Sequence, residues 1–155
     1  MTASDGPAVL AGYQAGLDTG LASFETTAPS WESWDASHLT FGRFVCEKDG
    51  VVVGWCALSK VSDRCAYQGV AEVSVYVAEP NSGIGSRLLE ALIPCSEANG
   101  VWTLTAGMFP ENIASVSLHL KHGFRVVGRR DRIGKLRGEW RDTLLLERRS
   151  ERFND

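Results

Sequence analysis

Between Val70 and Val77 the chain alternates, with Val73, Val75 and Val77 on one side and Glu72, Ser74 and Tyr76 on the other. That two-residue period is the mark of a strand with one buried face. The loop that follows contains Gly83 and Gly85, and the period then changes to Leu88, Leu89, Leu92 and Ile93. This predicts a helix over 84–98, stopped by Asn99-Gly100. Pro94 removes one backbone hydrogen bond inside it and predicts a kink or an early break.

Upstream, Val9, Leu10, Tyr13 and Leu17 give a helical spacing that starts near Pro7, with Gly16 and Gly20 weakening its end. Phe24–Pro29 reads as a polar loop. Ser30 or Ser33 caps a second helix carrying Trp31, Trp34 and His38, which either packs on the core or lines a pocket. Strands at 44–47 and 51–58 flank Lys48-Asp49-Gly50, and Asp-Gly between apolar runs predicts a hairpin. Ser59–Gly69 is a loop feeding the Val70–Val77 strand. Downstream come a strand at 102–106, a helix at 113–122 closed by Gly123, and final strands at 124–128 and 142–147. A Gly- and Arg-rich connection ending in Trp140 joins the last two. This order predicts a mixed α/β sheet rather than a sandwich.

At 155 residues the chain reads as a single domain, residues 1–155. A net charge of −3 gives no general attraction to nucleic acid, and the late basic residues read mainly as a solvated face. No apolar run approaches the ~20 residues of a bilayer span, and the N-terminus lacks the pattern of a signal peptide. The expectation is therefore a cytoplasmic protein without membrane or nucleic-acid partners. The four cysteines, Cys46, Cys56, Cys65 and Cys95, lack C-x-x-C spacing and read as reduced packing thiols. His119 and His122 share a helix face without a third ligand at usual spacing, so no metal is expected. The loop is not a Walker motif, since no Gly-Lys-Ser/Thr follows. It is not a dinucleotide fingerprint either, since Leu88 holds the third glycine position. It is either a plain β-to-α turn or a cradle of N–H groups for a phosphate-bearing cofactor, beside a strand whose carboxylate can move a proton.

Several co-linear motifs then make a resemblance. They are Val70–Val77, Gly83-Ile84-Gly85, and Pro110-Glu111-Asn112-x-Ala114-Ser115-x-x-Leu118-His119-x-x-x-Gly123-Phe124. With Phe24-Glu25-Thr26, Arg64-x-Ala66-Tyr67 and Gly138-x-Trp140-Arg141-Asp142 they run from about Pro7 to Arg148. The chain resembles the GCN5-related N-acetyltransferases (GNAT), within them the phosphinothricin and methionine sulfone/sulfoximine group. The resemblance implies a mostly antiparallel mixed sheet flanked by helices, with a splayed strand pair holding acetyl-CoA. It implies that pantetheine pairs with Val75, Tyr76 and Val77 and that pyrophosphate sits on Asn81, Ser82, Gly83, Ile84, Gly85 and Ser86. Asn112 and Ser115 would lie near the thiol end. Pro80 replaces the Arg or Gln usual at its position and supplies neither a side-chain donor nor an N–H. Similar enzymes begin with an edge strand, and only Met1–Gly6 precede Pro7, so that strand is expected to be cut back.

The resemblance also assigns the chemistry. Glu72 would be the general base that frees an amine from its ammonium, its basicity raised by burial or relayed by water. His119 would protonate the departing thiolate or bridge to a substrate water. Arg64 would anchor an amino-acid carboxylate through its planar fork. Phe24, Tyr67 and Ser74 would contact the acceptor, with Phe24 supplied across a homodimer. The expected activity is acetyl transfer from acetyl-CoA to the α-amine of a small amino-acid-like substrate, by direct attack in a ternary complex. The alternatives are another acceptor, a polyamine or a protein N-terminus, or a non-catalytic acyl-CoA-binding module.

Overall fold

The computed structural model describes residues 1–154; the expected domain, 1–155, ends on Asp155, which lies outside the described residues. Among the described residues, four α-helices, α1 (Gly6–Asp18), α2 (Trp31–Ser37), α3 (Ile84–Ala98) and α4 (Ile113–Lys121), accompany six strands. The strands are β1 (Phe44–Lys48), β2 (Val51–Lys60), β3 (Val70–Val77), β4 (Thr103–Met108), β5 (Arg125–Leu136) and β6 (Glu139–Arg149). They form one sheet in the order β1-β2-β3-β4-β6-β5, antiparallel throughout except for β3 and β4. The expected mixed, mostly antiparallel sheet flanked by helices is what the chain adopts. Ahead of α1 the described residues contain a 3₁₀ turn, Ala3–Asp5, and no strand.

Alternation along β2 and β3 divides the interior. Cys56, Leu58, Ala71 and Val73 join Leu88, Leu89, Leu92 and Ile93 of α3 and Leu104 and Leu146 in the larger core. Trp55 and Ala57 face the other way, onto Val9 of α1 and Trp34 of α2, with Tyr13, Trp31 and Tyr76 around them. Trp31 and Trp34 therefore serve packing: their rings stack at 5.0 Å, and Trp34 meets Trp55 edge-on at 5.5 Å. With Glu72, Ser74 and Tyr76 on the same side as Trp55, the polar stripe of β3 turns toward α1 and the loop after it.

The helix expected over 84–98 is α3, and it does not break early at Pro94: Leu88, Leu89, Leu92 and Ile93 are buried ahead of the proline and Ser96 beyond it, so packing holds the helix on both sides. One sequence expectation is corrected. The connection before Trp140 is not irregular: β5 and β6 form one long hairpin joined by Arg137-Gly138. Nearly all of β5 is exposed on both faces, so no alternation marks it, and two register shifts blur what remains. Both residues of that turn have positive φ, 50° and 84°, as do Asp49 and Gly50, 53° and 77°, in the expected first hairpin.

Candidate active site

The parallel β3/β4 ladder contains only three pairs, Val70↔Thr103, Ala71↔Leu104 and Glu72↔Thr105. Beyond Glu72 the two strands part. Val73–Val77 keep β2 as a neighbour on one side and leave their other side open. Between the parted strands lies a cleft of about 630 Å³. Its walls include Glu72–Val77 of β3, Ala106–Met108 of β4, the Glu79–Gly83 loop and the α4 face carrying Asn112, Ser115 and His119. Thr19, Leu21, Ala22 and Ser23, from the loop after α1, close one flank.

One end of the cleft presents bare main-chain donors. Gly83, at φ +83°, caps α3 in the left-handed conformation and offers it no side-chain acceptor. By contrast, α2 and α4 are capped by Ser30 and Asn112 side chains. The first N–H groups of an α-helix have no intrahelical partner, and uncapped they favour phosphate. A Cβ on Gly83 would meet nothing within 4 Å, so the approach to these amides is open. Ser82 Oγ donates to the Glu79 carbonyl at 2.6 Å and Ser86 Oγ meets His122 Nε2 at 3.0 Å, which ties the cradle to the preceding loop and to the end of α4. Pro80 takes part in the cleft wall without a donor. These groups fit a pyrophosphate-bearing cofactor through main-chain contacts.

The opposite end carries a carboxylate. Glu72 stands where the ladder stops, and its side chain reaches solvent through the cleft. The cleft walls nevertheless remove enough water to push its carboxyl above the ordinary glutamate value. From Glu72 to Val77, five residues of strand cover roughly 16 Å at ~3.3 Å per residue.

His119 is buried, 4% exposed, on the cleft side of α4. Its Nδ1 lies 2.7 Å from the Ser115 carbonyl, which can only accept, so Nδ1 carries the proton of the neutral ring. Nε2 has no partner, and burial lowers the pKa of the imidazole. At neutral pH, Nε2 is thus an acceptor.

The structure brings together most of the residues expected from sequence. Glu72, Ser74, Val75, Tyr76, Val77, Asn81, Ser82, Gly83, Gly85, Ser86, Asn112, Ser115 and His119 all line one cleft. Four do not. Ile84 turns away, close enough to Gly54 that a Cβ there would lie 2.8 Å from its Cγ2. Phe24 packs within its own chain, edge-on to Phe109 at 5.0 Å. Arg64 and Tyr67 sit exposed on the loop before β3, the guanidinium 5.4 Å above the tyrosine ring. Sequence reasoning missed Gly107 and the Thr19–Ser23 wall. The small pair Ala106-Gly107 in a strand was a usable signal; the wall had none, because it reaches the cleft only through tertiary contacts.

The acetyltransferase (GNAT) domain family matches residues 36–145. The chain belongs to this family. It is 34% identical over 152 residues to a phosphinothricin N-acetyltransferase of Alcaligenes faecalis, covering 93% of this chain and 77% of that one. Among solved structures it superposes on a ribosomal-protein-alanine N-acetyltransferase from Brucella melitensis with TM-score 0.86 and 31% identity, covering 97% of each chain. A GNAT phosphinothricin acetyltransferase from Sinorhizobium meliloti, solved with acetyl-CoA, gives TM-score 0.87 and 27% identity over 96% of this chain and 85% of that one. The expected family and fold are thereby established. Among the described residues, no helix is long and apolar enough to cross a membrane, and no cluster of three or more His, Cys, Asp or Glu offers a metal site.

Proposed function

We propose that this chain transfers acetyl from acetyl-CoA to the α-amine of a small amino-acid-like substrate of the phosphinothricin or methionine sulfone type, within one ternary complex. The observation that carries the reading is the position of Glu72 at the point where β3 and β4 separate, with the uncapped α3 N-terminus at the other end of the same cleft. Bound acetyl-CoA would supply an acetyl thioester that is already activated, so positioning does most of the work.

Asn81–Ser86 hold the phosphate end, and the open side of Val75 and Val77 offers main-chain groups to the arm and the carbonyl. Glu72 accepts a proton from the incoming ammonium, directly or through water. Its raised pKa makes it a better base than an exposed glutamate. His119 acts as an acceptor at Nε2 and bridges to water in the site; donating to a thiolate would require a proton that Nε2 lacks. Arg64, a forked cation on the loop that feeds β3, stands outside the cleft and is the candidate anchor for a carboxylate that projects beyond its Glu72 end. A homodimer is part of this reading, tested by sedimentation, although Phe24 is already accommodated within one chain.

A second acceptor class, a protein N-terminus, is favoured by the similarity to the Brucella enzyme. Thiol release from acetyl-CoA separates the readings, using phosphinothricin, methionine sulfone, methionine sulfoximine, a polyamine and an N-terminal-alanine peptide as acceptors. Turnover on the amino-acid analogues is expected. Acetyl-CoA binding without turnover on any amine would instead leave an acyl-CoA-binding module.

A further inference from the structure

The segment between α1 and α2, residues 19–30, has no regular structure, yet Thr19, Leu21, Ala22 and Ser23 wall the same cleft that holds Glu72. Its half nearer α2 is bonded to α1, since Gln14 Nε2 donates to the Thr26 carbonyl at 3.1 Å and Gln14 Oε1 accepts from the Ala28 N–H at 2.9 Å, which leaves the half beside the cleft to other partners. Two successive carbonyls in it are gripped from outside. Asn112 Nδ2 donates to the Leu21 carbonyl at 3.2 Å, and Arg141 Nη1 donates to the Gly20 carbonyl at 3.0 Å.

Arg141 is itself fixed. Its guanidinium lies 4.0 Å above the ring of the buried Phe109 and 3.4 Å from Glu111 Oε2, with the side chain 18% exposed. Directly across the hairpin from Arg141 is Gly134. A Cβ on Gly134 would lie 2.9 Å from the ring of Phe24, so the glycine leaves the space that Phe24 fills between β5 and Phe109. One cross-strand pair thus holds the loop twice, by a bond at Gly20 and by room at Phe24.

We infer that Arg141, with Gly134 opposite it, is a positioning residue that sets the acceptor wall of the cleft. The inference rests on the acetyltransferase reading for the identity of that wall. The long hairpin then serves acceptor binding without touching the cofactor end. A lysine at 141 would keep one donor but lose the planar stack on Phe109.

The test compares Arg141→Ala, Arg141→Lys and Gly134→Ala with wild type in steady-state kinetics, thermal melts and limited chymotrypsin digestion. Arg141→Ala should raise the acceptor KM about tenfold while the acetyl-CoA KM stays within about twofold, and Arg141→Lys should fall between it and wild type. Gly134→Ala should raise the acceptor KM with Arg141 intact. Chymotrypsin should cut the folded Arg141→Ala protein faster at Leu21 or Phe24. An unchanged acceptor KM, a parallel rise of both KM values with a lower Tm, or unchanged cleavage would overturn the inference. A wild type that acetylates no amine would defeat the acetyltransferase reading instead, and the digestion would still decide whether Arg141 holds the loop.

Discussion

Gly12 and Gly16 lie one turn apart on α1 and face the sheet, and replacing each by alanine should have unequal effects. Alanine in a helix interior is favoured over glycine by about 1 kcal/mol, and this gain is roughly common to both sites. A Cβ at Gly12 would lie 3.6 Å from Trp55 Cδ1 and Nε1, an ordinary contact, so Gly12→Ala should stabilise by about 1 kcal/mol. At Gly16 the Cβ would lie 2.6 Å and 2.7 Å from Tyr76 Cδ1 and Cε1. That ring cannot retreat, since it is stacked on Trp55 at 4.8 Å and met edge-on by Tyr13 at 4.9 Å. Overpacking of this kind costs about 1–3 kcal/mol, which becomes the expected gap between the two variants once the shared propensity gain cancels. Urea unfolding should show the gap as a difference in midpoint at unchanged slope. In thermal melts it should be about 2–4 °C per kcal/mol for a chain of this size. Gly16→Ala should also raise the acetyl-CoA KM, since Tyr76 belongs to the cleft wall, whereas Gly12→Ala should not. If Gly16→Ala proved as stable as Gly12→Ala, the reasoning about a fixed Tyr76 would be refuted.

Glu72→Gln should lower kcat/KM by about 10²–10⁴ if the carboxylate is the base. Its stability effect has a definite sign. Burial raises the folded pKa, so the contribution of this group is fully present below the unfolded value and is lost as pH rises through the folded one. Glutamine escapes that loss, so the Tm of the variant relative to wild type should rise as pH climbs from about 4, the ordinary glutamate value, toward neutrality; a pH-independent difference would contradict this. Burial pushes the Cys56 thiol up to about 12, whereas Cys65 is exposed. A thiol dye should therefore label Cys65 first and Cys56 only after unfolding, and a fast phase surviving in Cys65→Ser would be the wrong result. Arg43 ties the end of α2 to β1 through Asp35, the Leu39 carbonyl at 2.6 Å and the His38 carbonyl at 3.0 Å. Arg43→Ala should cost about 2–3 kcal/mol, as hydrogen bonds to a charged group do, and a loss below about 1 kcal/mol in urea titration would argue against that role.

The sequence by itself determined whatever depends on neighbours along the chain. The alternation of β3 set which face carries Glu72, Ser74 and Tyr76, and Asp49-Gly50 announced its hairpin through a pair tolerant of positive φ. The leucine spacing of α3 and the glycine before it gave the helix and its open N-terminus. Tertiary structure decided the rest. The hairpin of β5 and β6 was invisible because a strand exposed on both faces needs no alternation, and Arg137 at a left-handed turn position is no standard signal. Pro94 did not end α3, since burial of the apolar stripe before it and of Ser96 after it outweighed one missing hydrogen bond. The cleft itself exists because β3 and β4 stop pairing after Glu72, and its flank at Thr19–Ser23 because Arg141 and Asn112 reach back some hundred residues to the carbonyls of Gly20 and Leu21. Local periodicity encodes faces and turns; a gap between strands and a loop held from afar arise only when distant segments compete for the same space.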